Sequence, residues 1–122
     1  RMQIFGRALV ESFLFMDGKC IVSYIRKKVM DFYGVKPKDL DGIVSQIRNT
    51  RGVEVAIFMY ELDQNVFKVS LRSGDQVDVS QVAGYFGGGG HEKASGVTMT
   101  GTPQDILNNL AERIDEQLKG QA

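Results

Sequence analysis

The sequence predicts a single α/β domain: a mixed sheet of about five strands with helices packed on it. The chain has 122 residues, a length that suits one domain with one core. Hydrophobic residues make up 43% and charged residues 25%, as in folded globular proteins. Segments that alternate with period two are interleaved with segments of helical periodicity, and this order is typical of α/β domains.

The chain begins with a predicted hairpin. In "LVESFLFMDGKCIVSYI" two apolar runs flank Asp17-Gly18, and Asp-Gly between such runs is the strongest short hairpin signal. We therefore expect strands near 9–16 and 19–25.

Two helices should follow the hairpin. The first covers 26–34 and ends at Gly34. The second covers about 40–49 with Asp39 as its cap, because its apolar residues recur at helical spacing. These residues are Leu40, Ile43, Val44 and Ile47.

The next two segments predict neighbouring strands. Residues 53–62 would be apolar on both faces of a strand, which indicates a buried central strand. Residues 66–73 alternate instead, with Phe67, Val69 and Leu71 on one face and Lys68, Ser70 and Arg72 on the other. Arg72 therefore lies at the end of a strand, on its polar face.

A short helix is expected near 79–86. Asp78 and Gln81 have the spacing of a capping box, and Gly87 should end the helix. After the glycine run we expect a short strand over 97–101. A final helix with a long apolar stripe should begin at Thr102-Pro103.

Charge and cysteine content narrow the function classes. The net charge is +0, which disfavours a module that coats long duplex nucleic acid but leaves room for a local positive site. Cys20 is the only cysteine, so an internal disulfide is excluded and a reducing, cytoplasmic setting is expected. No apolar run approaches the roughly 20 residues that span a bilayer, so we expect no membrane partner.

Four glycines precede the single histidine in "YFGGGGHEKASG" (85–96). One interpretation is a flexible linker. The other is an anion cradle, in which glycine backbone N–H groups approach a phosphate closely and a helical turn beginning at His91 adds further N–H groups. The lack of a following Gly-Lys-Ser/Thr excludes a Walker loop.

His91 and Arg72 are the side chains that would complete such a cradle. An imidazole can donate to a phosphate oxygen, and a guanidinium can bind a phosphate through two hydrogen bonds. Each also has a plain alternative as an exposed structural residue. One histidine and one cysteine cannot build a typical zinc site, and no acidic motif predicts a metal in this chain.

These residues resemble a known family. "GGGGHEKASG", with "KVSLRS" and "DVSQVAGYFGGGGH" before it, is similar to the C-terminal, DHH-associated substrate-binding domain of DHH-family phosphoesterases. The similarity is closest to the nanoRNase/pAp-phosphatase branch, and it extends through "DLDGIV", "RGVEVAIF" and the last helix. Ser95 departs from the pattern, which usually has alanine there.

The resemblance implies a set of substrate-binding residues and a missing partner domain. Position by position the implied residues are Arg72, Ser73, Gly88, Gly89, Gly90 and His91. In the family a separate N-terminal DHH domain carries two manganese ions and an Asp-His-His motif, which this sequence lacks. Residues 1–8 would then be the end of the inter-domain connection and 9–122 the substrate-binding domain, inactive alone.

The resemblance implies a hydrolase acting on short oligonucleotides or nucleoside 3′,5′-bisphosphates. A general single-stranded nucleic-acid-binding module is the alternative, although the neutral charge and lack of an aromatic platform count against it. A structural or interaction domain, in which the glycines serve only folding, is a third hypothesis.

Overall fold

The computed structural model of the chain describes residues 2–120, which form one sheet with helices on both sides. The helices are α1 (Met2–Val10), α2 (Lys27–Tyr33), α3 (Ile43–Arg48), α4 (Val79–Tyr85) and α5 (Pro103–Lys119). The strands are β1 (Phe13–Phe15), β2 (Cys20–Ile25), β3 (Val55–Asp63), β4 (Val66–Ser73), β5 (Gly89–His91) and β6 (Ala94–Thr100).

The strand order is β1-β2-β3-β4-β6-β5, and β2 and β3 are the only parallel neighbours among the described strands. The predicted mixed α/β sheet is confirmed, with six strands where about five were expected. Within residues 2–120 no helix is both long enough and apolar enough to cross a bilayer.

Two apolar cores stabilise the sheet, one on each side. On the first side, alternate residues such as Ile57 and Val69 pack against α4 and α5. On the second side, residues such as Ile21 and Phe58 pack against α1, α2 and α3. The second core lies over β2 and β3, so helices cover only part of this side of the sheet.

The predicted hairpin is confirmed, but its first strand is shorter than expected. Asp17 and Gly18 both have positive φ, 55° and 79°, as the hairpin signal requires. Residues 9 and 10 belong to α1 and not to β1. Ile4 and Ala8 of α1 are buried in the second core, and this packing extends the helix beyond what the local pattern indicates.

The predicted helix over 40–49 is two elements. A 3-10 helix, Pro37–Leu40, is followed by Gly42 at φ 92°, and α3 starts only after this glycine. The expected role of Asp39 as a cap of that helix is wrong, because its carboxylate accepts from the Lys36 N–H of the 3-10 turn. The predicted apolar face is confirmed, since its four residues are all buried.

Asp78 caps α4 as predicted, by accepting hydrogen bonds from the N–H groups of Ser80 and Gln81. The capping box is not completed by Gln81, whose side-chain amide donates to the Asp78 carboxylate instead. The Asp78 N–H donates to Gln117 Oε1 of α5 at 2.8 Å. The Asp78 N–H is thus bound by a side chain of α5 and not by the Gln81 side chain, as a capping box would require.

The helical turn expected at His91 is wrong. Residues 89–91 form β5, Glu92 and Lys93 form a tight turn, and β6 starts at Ala94, three residues before the predicted strand. The physical reason is strand pairing: β4 provides an edge along which residues 94–100 pair over their whole length.

Several elements agree closely with the prediction. Gly34 ends α2 in the left-handed region at φ 66°. β4 has the predicted bounds, 66–73, and Thr102 caps α5 with Pro103 at its first position.

Candidate functional site

Strand register places Arg72 and His91 on the same face of the sheet. Directly opposite residues of antiparallel strands project to the same side. Arg72 of β4 is opposite Ala94 of β6, and Ala94 is opposite His91 of β5. The three residues therefore form one row across the sheet, with the small Ala94 between the guanidinium and the imidazole.

The next row along the strands consists of small residues. Ser70 of β4 is opposite Gly96 of β6, and Gly96 is opposite Gly89 of β5. Two glycines and a serine contribute no large side chain of their own to this row. This row forms a flat floor beside the row that contains Arg72 and His91.

We call this surface the open face. It is the second side of the sheet at β4, β6 and β5, of which β4 also contacts α3, and its residues are half-buried or exposed. The open face consists of Lys68, Ser70, Arg72, Gly89, His91, Ala94, Gly96 and Thr98.

The open face is basic although the chain as a whole has net charge +0. Its eight residues include Lys68 and Arg72 and no carboxylate. The Arg72 guanidinium donates to the Leu71 carbonyl at 2.9 Å, and no ion pair involves Arg72 within residues 2–120. A cation held only by a neutral carbonyl can exchange that contact for an anion.

The fold requires glycine for different reasons at different positions of the run 87–90. Gly87, at φ 89°, lets the chain leave α4 in the left-handed region. A Cβ on Gly88 would lie 2.5 Å from Val97 Cβ, and one on Gly90 would lie 2.7 Å from Ser95 Cα, so both positions need glycine to pack on β6. A Cβ on Gly89 would meet nothing within 4 Å, and its φ is not positive.

Gly89 is therefore the glycine of the run that the fold does not explain. Neither backbone conformation nor packing requires it, yet it lies in the floor row of the open face. Absence of a side chain there leaves room for a ligand to approach the backbone, as the cradle interpretation requires.

Part of the predicted cradle is used by the fold itself. The N–H groups of Gly87 and Gly88 donate to the carbonyls of Gly84 and Ala83, at 3.1 and 2.8 Å, and these bonds end α4. Residues 89–91 lie in β5, which pairs with β6 on one side and forms the edge of the sheet. Any backbone donors to a ligand must come from this edge strand, since an edge strand has one side without a partner strand.

The structure does not bring the Ser73 side chain to the open face. Ser73 is buried, and its hydroxyl donates to the carbonyls of Val77 and Glu92 at 2.7 and 3.2 Å. Its N–H donates to the Lys93 carbonyl at 3.0 Å. Ser73 thus ties the end of β4 to the β5–β6 turn and holds that turn in position.

Ser95 and the turn residues secure the same hairpin from other directions. The buried Ser95 hydroxyl donates to the Val79 carbonyl at 2.7 Å, which joins β6 to the start of α4. At the tip, Lys93 and Asp75 form an exposed ion pair of 2.7 Å, and the hydrogen bond from Lys93 lowers the pKa of the Asp75 carboxyl. The hairpin that carries His91 is therefore fixed to β4, α4 and the loop after β4.

A second polar cluster lies near the start of α2 and has a structural explanation. The Glu61 carboxylate accepts from the N–H groups of Lys27 and Asn65, each at 2.8 Å, and pairs with Arg26. Burial by itself would raise the pKa of Glu61, but these hydrogen bonds and the positive charge outweigh it and lower the pKa. Arg26 also donates to Asn65 Oδ1 at 2.9 Å, so the cluster joins the start of α2 to the β3–β4 hairpin.

No candidate metal site lies in the described part of the chain. Within residues 2–120 no three or more His, Cys, Asp or Glu side chains lie together in a way that could hold a metal ion. The described residues therefore offer no cluster that could hold a manganese ion.

Sequence reasoning did not select Lys68, Gly96 and Thr98 as members of the site. The alternation of β4 already placed Lys68 on the polar face with Arg72, and this signal could have identified it. Gly96 and Thr98 could not be found in this way, because their membership depends on the pairing of β6 with β4.

The fold and the open face define an α/β domain with a basic, glycine-lined sheet surface next to the second core, which α1, α2 and α3 cover. Residues 17–120 match the DHHA1 domain, and the chain belongs to that family, in its nanoRNase branch. The family predicted from the glycine-histidine segment and its surroundings is thus confirmed.

Two curated relatives carry names that describe nucleotide chemistry. The chain is 35% identical over 82 residues to the bifunctional oligoribonuclease and PAP phosphatase NrnA of Thermus thermophilus, covering 66% of this chain and 25% of that protein. It is 49% identical over 49 residues to the oligoribonuclease NrnB of Bacillus subtilis, covering 39% of this chain and 12% of that protein. The chain therefore spans at most about a quarter of the length of these relatives.

Solved structures share the fold. An exopolyphosphatase-related protein from Bacteroides fragilis has a TM-score of 0.86 at 23% identity, over 97% of this chain and 35% of that chain. A pGpG-specific phosphodiesterase, PggH of Vibrio cholerae, has a TM-score of 0.64 at 9% identity, over 94% of this chain and 39% of that chain. The C-Ala domain of Aquifex aeolicus alanyl-tRNA synthetase has a TM-score of 0.57 at 15% identity, over 85% of this chain and 97% of that chain.

Proposed function

We propose that this chain is the substrate-binding domain of a DHH-family phosphoesterase that hydrolyses short oligonucleotides or nucleoside 3′,5′-bisphosphates. One observation carries the proposal: Arg72 and His91 lie in one row of the open face, beside a floor of small residues. The names of the two curated relatives support the substrate class.

The residues of this chain would bind and orient the ligand. The Arg72 guanidinium leaves the Leu71 carbonyl and binds a phosphate through two N–H groups. His91 donates to the same anionic end from the other side of Ala94, and the glycine at position 89 lets the phosphate approach the backbone. Holding the phosphate in this way contributes positioning and electrostatic stabilisation.

The chemistry itself would come from an N-terminal DHH catalytic domain, in which manganese ions activate water for hydrolysis. Because this chain lacks a metal-ligating cluster within residues 2–120, we expect it to bind nucleotide without turnover. The ligand should be short, since the open face has only two permanent cations, Lys68 and Arg72, to bind phosphates.

A titration of the isotope-labelled chain with adenosine 3′,5′-bisphosphate tests this proposal. Amide shifts should centre on Arg72 and residues 88–91, and Arg72→Gln should weaken binding about tenfold. Arg113→Gln is the matched control, because Arg113 lies on α5, which packs on the opposite side of the sheet.

Shifts that cluster away from the open face would overturn the proposed site. A general single-stranded module predicts instead that affinity rises steadily from a dinucleotide to a twelve-nucleotide RNA, with a steep dependence on salt. A purely structural role predicts that the simultaneous replacement of Arg72 and His91 changes no binding and, in the enzyme with its catalytic domain, no activity.

A further inference from the structure

Lys68 is a second cation on the open face. It lies on β4, four residues before Arg72, and projects to the same side of the sheet. Their Cα atoms are about 13 Å apart, from the usual rise along a strand. In its own row Lys68 lies between Tyr60 of β3 and Thr98 of β6.

The Lys68 ammonium bends out of its own row toward the floor. A Cβ on Gly96 would lie 2.7 Å from Lys68 Nζ, so the ammonium covers this glycine. Gly96 belongs to the row between those of Lys68 and Arg72. The floor of small residues therefore has the ammonium above it and the guanidinium in the adjacent row.

No partner neutralises this ammonium within residues 2–120. Lys27, Lys93 and Lys119 pair with carboxylates, whereas the ammonium of Lys68 has neither an ion pair nor a hydrogen bond among the described residues. Lys68 is also half-buried, so its charge lies against the sheet surface and not free in solvent. A half-buried cation without a counter-charge is a place where an anion gains more than it would at an exposed lysine.

We infer that Lys68 holds a second anionic group of the ligand, separate from the group held by Arg72 and His91. This inference rests on the proposed function and refines it: the open face selects ligands with two phosphate groups, of the nucleoside 3′,5′-bisphosphate or phosphorylated dinucleotide class. Gly96 takes part by leaving the space that the ammonium occupies.

The test measures the affinity of the 122-residue chain for adenosine 3′,5′-bisphosphate and for adenosine 5′-monophosphate by calorimetry. Lys68→Gln should weaken bisphosphate binding about tenfold and monophosphate binding less than about twofold. Lys19→Gln removes the same charge from the exposed turn between β1 and β2, and it should leave both affinities unchanged. Arg72→Gln should weaken both ligands.

The outcomes separate the inference from the proposed function. The role of Lys68 is overturned if Lys68→Gln weakens the two ligands equally, or if it binds the bisphosphate as tightly as Lys19→Gln does. In either case a loss of affinity in Arg72→Gln still supports the proposed site. If the unmodified chain binds neither ligand, the proposed function and the inference both fail.

Discussion

Alanine substitutions at two neighbouring glycines should separate the structural part of the glycine run from its ligand-binding part. At Gly88 a Cβ would lie 2.5 Å from Val97 Cβ and 2.9 Å from Val97 Cα. These atoms belong to a paired strand and cannot move independently, so β5 must shift away from β6. At Gly89 a Cβ would meet no heavy atom within 4 Å.

The two substitutions should therefore differ in stability. Forcing an extra methyl group into a packed region costs about 1–3 kcal/mol, so Gly88→Ala should lower the melting temperature by roughly 4–12 °C in a domain of this size. Gly89→Ala should change the free energy of unfolding by less than about 0.5 kcal/mol, because the site is open and its φ is not positive.

Gly89→Ala should weaken ligand binding although it leaves stability unchanged. Its new methyl group stands on the floor of the open face, so affinity for adenosine 3′,5′-bisphosphate should fall about tenfold, or 1.4 kcal/mol, without loss of stability. Thermal unfolding followed by circular dichroism, together with calorimetric titration, measures both quantities on the same samples.

Two results would refute this reasoning. If Gly88→Ala unfolds at the same temperature as the unmodified chain, the close packing of Gly88 on β6 is not what requires glycine there. If Gly89→Ala binds the bisphosphate with unchanged affinity, the uncovered backbone at position 89 takes no part in binding.

Three further predictions concern the framework. Glu61→Gln should lower the free energy of unfolding by about 1–3 kcal/mol at pH 7, measured by urea unfolding. Because the pKa of Glu61 is lowered in the folded state, the difference from the unmodified chain should shrink as pH falls below about 4. A difference that does not change with pH would contradict the charge argument. Ser95→Ala should cost about 1 kcal/mol in the same assay, because the buried hydrogen bond from the Ser95 hydroxyl to the Val79 carbonyl is lost. Burial raises the pKa of Cys20 to about 12, so a thiol reagent at pH 8 should react only as the protein unfolds; rapid reaction of the native chain would contradict this.

Local signals predicted the elements that local physics controls. Asp-Gly at 17–18 adopted positive φ, Gly34 ended α2 and Thr102-Pro103 began α5, because each depends on backbone conformations available to those residue types. Predictions failed where packing competed with the local pattern. The segment at 9–10 joined α1, and His91 lies in a strand.

The candidate site divides in the same way. The alternation of β4 determined that Arg72 and Lys68 share a polar face, and the glycine-histidine segment determined the family. The location of Ser73 could not be predicted from that segment, because its burial depends on carbonyl groups of the loop after β4 and of the β5–β6 turn.

The sequence by itself determined the fold class, most of the helix and strand positions, the polar face of β4 and the membership in the DHHA1 family. Only the tertiary structure decided that His91 lies in the same row as Arg72, and that Gly96 and Gly89 form the floor beside them. The physical reason is register: a shift of one residue between paired strands moves every side chain to the other face, and the pairing of β4, β6 and β5 is set by contacts between residues far apart in the chain.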